Sequence, residues 1–207
     1  MLFLVSYSIN SCNVFLTLSQ LQSLDAYKLN NTRKAEIDIL FFNRAAKVGS
    51  EALLELLQKI EDFNNLNVDR NGPKKGARRQ LKRREQRELA SEIVELGEGS
   101  AYIEHVNYID FEEFDLLKPI YINLVRDPVE RVISWYFYAR GAYKNAIEYR
   151  KDPSKLIRPE EWYKKDFNEC VRSGDPECQY IPYTVKDPIG NFKRQSLFFC
   201  GHHDDCL

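Results

Sequence analysis

Residues 44–50 read Arg44-Ala45-Ala46-Lys47-Val48-Gly49-Ser50, between the apolar FFN and the helical pattern EALLELL. Two cations, a glycine and a hydroxyl at a strand-to-helix turn suit an anion. Backbone N–H groups at a helix N-terminus point into such a turn, and the helix dipole favours negative charge there. Gly49 lets the backbone approach a ligand closely. Lys47 adds a mobile charge, and Ser50 can cap the helix or donate to a phosphate oxygen. The nucleotide-binding loop GxxxxGK[ST] is not matched, because the lysine precedes the glycine and no upstream glycine exists. A capped helix with a chance lysine is the plainer account of this loop taken alone.

A second group lies in Ile120–Phe137, IYINLVRDPVERVISWYF. Arg126 leaves the C-terminal end of an apolar run, and open α/β sheets bind ligands at that end of their strands. Ser134 follows about two helical turns later. Together they suit a second phosphate, since a guanidinium binds phosphate oxygens bidentately. The plainer account makes Asp127 a helix cap and Arg126 its ion-pair partner. Asp127 could also pass for a magnesium ligand, but Pro128 and the capping position argue against it. The third candidate is His105, in AYIEHVNYIDF, whose imidazole suits a general base near neutral pH. A lone histidine in a strand is more often structural. The chain has three, and the other two, His202 and His203, sit between cysteines.

These groups need a scaffold. Glu36–Asn43 reads as a buried parallel strand, and Ser50–Ile60 as a helix with one leucine-rich stripe. Asn64–Gly76 reads as a polar loop broken at Gly72-Pro73. Arg78–Leu96 is a charged helix closed by Gly97. Ala101–Tyr108 and Pro119–Val125 are further strands. Asp127-Pro128 then opens a helix that runs to about Arg140. Alternating strands and helices give an α/β class with a parallel sheet. Residues 1–34 show no clear periodicity and are treated as a poorly defined appendage; 35–207 form the domain.

With 207 residues, 43% of them hydrophobic, the chain is of ordinary globular make-up. The net charge of −1 conceals a basic run, Lys74–Arg87 (KKGARRQLKRREQR). A solvated helix face explains the run, and contact with a polyanionic polysaccharide is the sharper reading. Four of five cysteines, Cys170, Cys178, Cys200 and Cys206, form two close pairs, with Cys12 apart. Neither spacing is that of a zinc site, so local disulfides and an oxidising compartment fit better than zinc. Such a compartment makes nucleic acid a poor partner. Asn30-Asn31-Thr32 is a glycosylation sequon at Asn30. The N-terminus is too polar for a confident membrane span and lacks the basic flank of a signal peptide.

In combination, FFNRAAKVGS, EHVNYIDF, YINLVRDPVERVISWYF and the DFNEC…C and FFCGHHDDC spacings resemble the uronosyl 2-O-sulfotransferases of the sulfotransferase superfamily (heparan sulfate 2-O-, uronyl 2- and Pipe-like), over roughly Ile37–Leu207. The resemblance implies a P-loop-like parallel sheet flanked by helices, with a disulfide-bearing C-terminal segment. It implies the donor 3′-phosphoadenosine-5′-phosphosulfate (PAPS) and a glycosaminoglycan or related acceptor, sulfated at the 2-OH of a uronic acid. Arg44, Lys47, Val48, Gly49 and Ser50 match the 5′-phosphosulfate loop, and Arg126 and Ser134 the 3′-phosphate pair. His105 matches the catalytic base, with Lys47 and Arg44 also in the reaction. Cys170–Cys178 and Cys200–Cys206 match two small disulfide loops. That division of labour needs no metal. The family is Golgi-resident, membrane-anchored and trimeric. Its chains continue past the match to Cys206, so the fold is expected to be C-terminally incomplete here. A P-loop kinase using ATP and magnesium, and an inactive polysaccharide-binding fragment, are the alternatives.

Overall fold

The computed structural model describes residues 3–4, 32–64, 66–70, 81–154, 157–179, 195–202 and 206. Cys12, Asn30, His203 and the first part of the basic run lie outside the described residues. The chain divides into two compact units, one of Met1–Arg126 with Arg194–Leu207, the other of Asp127–Lys193.

The first unit is built on a four-stranded sheet. In chain order its elements are β1 (Phe3–Leu4), β2 (Ile39–Asn43), α1 (Ser50–Asn64), β3 (Asn67–Arg70), α2 (Arg83–Val94), β4 (Ser100–Glu104), β5 (Ile120–Ile122) and β6 (Leu124–Val125). The order across the sheet is β3-β4-β2-β5. All three pairings are parallel, with Phe41 opposite both Tyr102 and Tyr121, and Asn43 opposite Glu104. β1 pairs with β6 alone, antiparallel.

The apolar run ILFFN sits at the centre because both of its faces are covered. Successive residues of a strand face opposite sides. Phe41 therefore joins Tyr102, Phe111, Tyr121 and the α2 residues Leu89 and Ile93 in one core cluster. Phe42 joins Ile103, Leu124 and the α1 residues Leu54 and Leu57 in the other. Phe41 and Phe42 are fully buried. Truncating either to alanine is worth about 3–5 kcal/mol.

Three elements differ from the sequence-based expectation. The strand expected over Ala101–Tyr108 is β4, which ends at Glu104 and leaves His105 just beyond it. Part of the Asn64–Gly76 loop is the strand β3, whose NVDR is polar because it forms the sheet edge and has a partner on one side only. The expected strand Pro119–Val125 divides at Asn123. The Asn123 amide explains the break: its Oδ1 accepts from the Leu124 N–H at 2.8 Å, and its Nδ2 donates to the Asn43 carbonyl at 2.7 Å. A short helix, α7 (Leu197–Cys200, after the elements of the second unit), completes the first unit, and the Cys200–Cys206 disulfide ties it down.

The second unit holds α3 (Pro128–Ala139), α4 (Ala142–Lys151), α5 (Glu160–Lys164) and α6 (Phe167–Arg172). Asp127 caps α3, accepting from Val129 and Glu130 N–H at 3.0 Å each, with Pro128 in the first turn. Gly141 ends that helix as expected, and α4 starts directly after it. The unit centres on Arg140. Its guanidinium carbon lies 3.4 Å from the Tyr136 ring centre and 4.4 Å from that of Trp162, and its Nη2 donates to Glu177 at 2.6 Å. The Cys170–Cys178 disulfide closes the unit's small loop. Each disulfide, closing so short a loop, contributes roughly 2 kcal/mol. Among the described residues, no helix is long and apolar enough to cross a membrane.

Candidate active site

Parallel strands place their carboxyl ends along one edge, where open α/β sheets hold ligands. β2 ends at Asn43 and is followed by Arg44. β4 ends at Glu104 and is followed by His105. β5 and β6 lead to Arg126. Three of the residues singled out in the sequence therefore arrive at one edge from three elements of the same unit.

Arg44 and His105 interlock. The Arg44 N–H donates to the Glu104 carbonyl at 2.9 Å, and the Arg44 carbonyl lies 2.8 Å from His105 Nδ1. The Arg44 side chain then folds over the same imidazole, with Nε at 3.1 Å and Nη2 at 2.8 Å from His105 Nε2. A guanidinium can only donate, so Nε2 accepts and carries the lone pair. Nδ1 then carries the proton and donates it to the Arg44 carbonyl. This is the tautomer a general base needs: fixed at one nitrogen, with a lone pair at the other. Nη2 also donates to Glu51 Oε1 at 2.6 Å. Nη1 of the same guanidinium is buried and has no hydrogen-bond partner among the described residues.

The loop after Arg44 turns through left-handed backbone at Lys47 (φ 66°) and Gly49 (φ 91°). A β-carbon on Gly49 would meet nothing within 4 Å, so its backbone angle, not crowding, calls for glycine. At Lys47 the same region is unfavourable for a side-chain-bearing residue, by about 1–2 kcal/mol. Val48 and Ser50 are buried, Lys47 is half-buried and Gly49 is exposed. The Arg126 guanidinium reaches back to the loop, with Nη1 3.4 Å from the Lys47 carbonyl.

Arg126 is itself held by Gln195. The Gln195 side-chain amide accepts from the Arg126 N–H at 3.0 Å and donates to the Arg126 carbonyl at 2.7 Å. Beside it, Asn43 Nδ2 donates to the Phe198 carbonyl at 2.8 Å, and Asn123 bonds to the Asn43 carbonyl. Residues 195–198 thus fasten the ends of β2 and β6 together. Ser134 lies half-buried on α3, in the second unit.

A cleft of about 340 Å³ opens along the first unit, lined by Arg83, Gln86, Tyr108, Asp110, Glu113 and His202 among others. Burial raises the Tyr108 hydroxyl and the Asp110 carboxyl above their ordinary pKa values. His202 accepts from the Leu81 N–H at 2.9 Å. Burial pushes its pKa down to about 4, against a weaker upward pull from the Asn107 backbone.

A family model described as "Sulfotransferase family" matches residues 31–207. The chain belongs to that family. It is 39% identical over 178 residues to a Drosophila melanogaster "Uronyl 2-sulfotransferase homolog pip", a match covering 84% of this chain and 34% of the relative. It is 31% identical over 171 residues to the human "Uronyl 2-sulfotransferase" (80% and 38%). To the human "Heparan sulfate 2-O-sulfotransferase 1" it is 28% identical over 200 residues (91% and 49%). The chain therefore spans between about a third and a half of the length of these curated relatives.

In this sulfotransferase-family chain, the parallel sheet, its flanking helices and both disulfides agree with the sequence-based expectation. Zinc on Cys200 or Cys206 is set aside, because both thiols are joined in the disulfide. Four residues that brace the candidate site were missed: Glu51, Asn43, Asn123 and Gln195. Asn123 carries a signal, being an amide inside an apolar run. Gln195 has none, lying 69 residues from its partner.

Proposed function

We propose that the chain is a sulfotransferase moving a sulfuryl group from PAPS to the 2-hydroxyl of a uronic acid in a glycosaminoglycan or related glycan. One observation carries this reading: an imidazole lone pair, His105 Nε2, faces a buried guanidinium at the edge where the Lys47–Ser50 loop opens. The buried Arg44 Nη1, lacking a partner, suits an anionic group, so the residues fit the donor.

When bound, the donor supplies an activated sulfuryl group on a phosphate leaving group. Lys47 and the N–H groups of residues 48–50 would hold its 5′ side and stabilise charge developing there. Arg126 would take the 3′-phosphate, with Ser134 in the role the resemblance gives it. His105 Nε2 takes the proton of the acceptor hydroxyl, whose own pKa lies far above neutrality. The resulting imidazolium keeps its Nδ1–H on the Arg44 carbonyl, so the ring does not turn. For Nε2 to receive that proton, the Arg44 guanidinium must first leave it. Once turned, the cation is free to face charge on the transferring group.

The names of the similar proteins support a uronic acid acceptor. The two disulfides support an oxidising compartment, and with the resemblance we place the chain on the lumenal side of the Golgi membrane. Self-association as a trimer is carried over from the resemblance alone.

The test is transfer of radiolabelled sulfate from PAPS to a panel of desulfated glycosaminoglycans. Label on the uronic acid 2-position is expected. Preference for ATP with magnesium over 3′-phosphoadenosine 5′-phosphate (PAP) would sink the reading in favour of a kinase. Salt-dependent heparin retention with no transfer to any acceptor would replace it with a polysaccharide-binding role.

A further inference from the structure

Glu51 stands in the first turn of α1, at the opening of a loop assigned to an anion. A carboxylate there opposes a phosphate, so its presence calls for a reason. The Arg44 Nη2 atom has two hydrogens, and both are committed: one to Glu51 Oε1 at 2.6 Å, the other toward His105 Nε2 at 2.8 Å. The guanidinium is thereby stretched between a carboxylate and the imidazole lone pair. The two partners are unequal in mobility. The Arg44 side chain is 10% exposed and that of Glu51 64%. The carboxylate can swing into water with little desolvation to undo, whereas the guanidinium stays in the site.

We propose that Glu51 is a stand-in anion, holding Arg44 across His105 Nε2 until the donor's own anion takes its place. The proposal rests on the donor reading above and adds an order of events to it. While Glu51 grips Arg44, the base is covered and cannot accept a proton. An anion entering the Lys47–Ser50 loop competes for the same guanidinium, displaces Glu51 from it and uncovers Nε2. Glu51 is thus a positioning residue, acting through Arg44.

A carboxylate that merely favoured the helix N-terminus or braced the loop would behave oppositely. Its loss would slacken the loop and weaken anion binding. Loss of a stand-in strengthens it. The experiment is calorimetric titration with inorganic pyrophosphate of four proteins: wild type, Glu51→Gln, Arg44→Ala and the double variant. Freeing the Arg44 guanidinium from its half-exposed carboxylate partner is expected to tighten binding by about two- to fivefold in Glu51→Gln. In the Arg44→Ala background the same change is expected to give no gain, because the competition runs through Arg44. Unchanged or weaker binding in Glu51→Gln overturns the proposal, as does absence of pyrophosphate binding in wild type. So does a gain that persists without Arg44, which would mean simple repulsion. Should Glu51→Gln fail to fold, Glu51→Asp keeps the helix-terminal charge and withdraws the carboxylate by one methylene. A gain in the same direction is expected from it, and a loss overturns the proposal. PAP and adenosine monophosphate, titrated in parallel, separate the two readings. If pyrophosphate behaves as stated while PAP binds no better than the monophosphate, Glu51 keeps its role and the donor assignment falls.

Discussion

Replacing Gln195 should damage the side of the site proposed for the 3′-phosphate without touching any group proposed to meet the donor. The Gln195 amide makes two hydrogen bonds to one residue, at 3.0 Å to the Arg126 N–H and at 2.7 Å to its carbonyl. Such bonds are worth about 0.5–1.5 kcal/mol each. Arg126 is half-buried, so water can recover part of the loss. Gln195→Ala is therefore expected to lower stability by about 1–2 kcal/mol, or roughly 2–8 °C in Tm for a chain of this size. Losing the fixed backbone of Arg126 should weaken PAP binding by about 5- to 30-fold. Adenosine 5′-phosphosulfate, which has no 3′-phosphate, should lose little. Gln195→Glu should be worse than alanine, since a carboxylate cannot donate to the Arg126 carbonyl and would repel it. Calorimetry with both nucleotides, beside thermal melts, measures all of this. Equal losses for the two nucleotides, or wild-type PAP affinity in Gln195→Glu, would refute the clasp.

His105→Ala should abolish transfer while the protein still folds and binds PAP, its melting temperature lowered by the lost bonds to Arg44; full activity would remove His105 as the base. Lys47→Gly should separate stability from function: relief of the left-handed backbone (φ 66°) should stabilise by up to about 1 kcal/mol while transfer is lost. A destabilised Lys47→Gly protein would contradict this. His202 predicts a pH dependence. Its folded pKa is about 4 and its unfolded value near 6.5, so between these the unfolded chain binds the extra proton. Stability is full above pH 6.5 and falls as the pH drops toward 4. The loss is about 1–3 kcal/mol, reduced because the ring is not wholly enclosed. Denaturant titrations at pH 7, 5.5 and 4.5 should show this slope flattened in His202→Phe; the same slope in that variant would exonerate His202.

The parts of the fold that local pattern specifies were legible. ILFFN reads as a buried parallel strand and Asp127-Pro128 as a helix start, because apolar runs and cap and ring chemistry act within a few residues. β3 was not legible, since a polar edge strand has no periodicity of its own and exists through its pairing with β4. The same division holds at the site. The Lys47-x-Gly49-Ser50 loop, His105 and Arg126 could be singled out as candidates by type and by position after apolar runs. That Arg44 would cover His105 is a matter of side-chain geometry across 61 residues, which sequence spacing does not encode. Gln195 and Phe198 meet Arg126 and Asn43 across 69 and 155 residues of sequence.

That arrangement has a consequence for how the molecule is made. The second unit is inserted into the first, so the first unit is discontinuous along the chain. On the ribosome, the Lys47–Ser50 loop, His105 and Arg126 all emerge well before residues 195–198. The bond from Asn43 to Phe198 closes a separation of 155 residues. Contacts so distant in sequence form late, because their closure entropy is met only once the rest is ordered. The candidate anion site is therefore expected to mature after the sheet that carries it, with the Cys200–Cys206 crosslink among its later fastenings. A nascent chain stalled before residue 195 would have a folded sheet and an unfinished pocket.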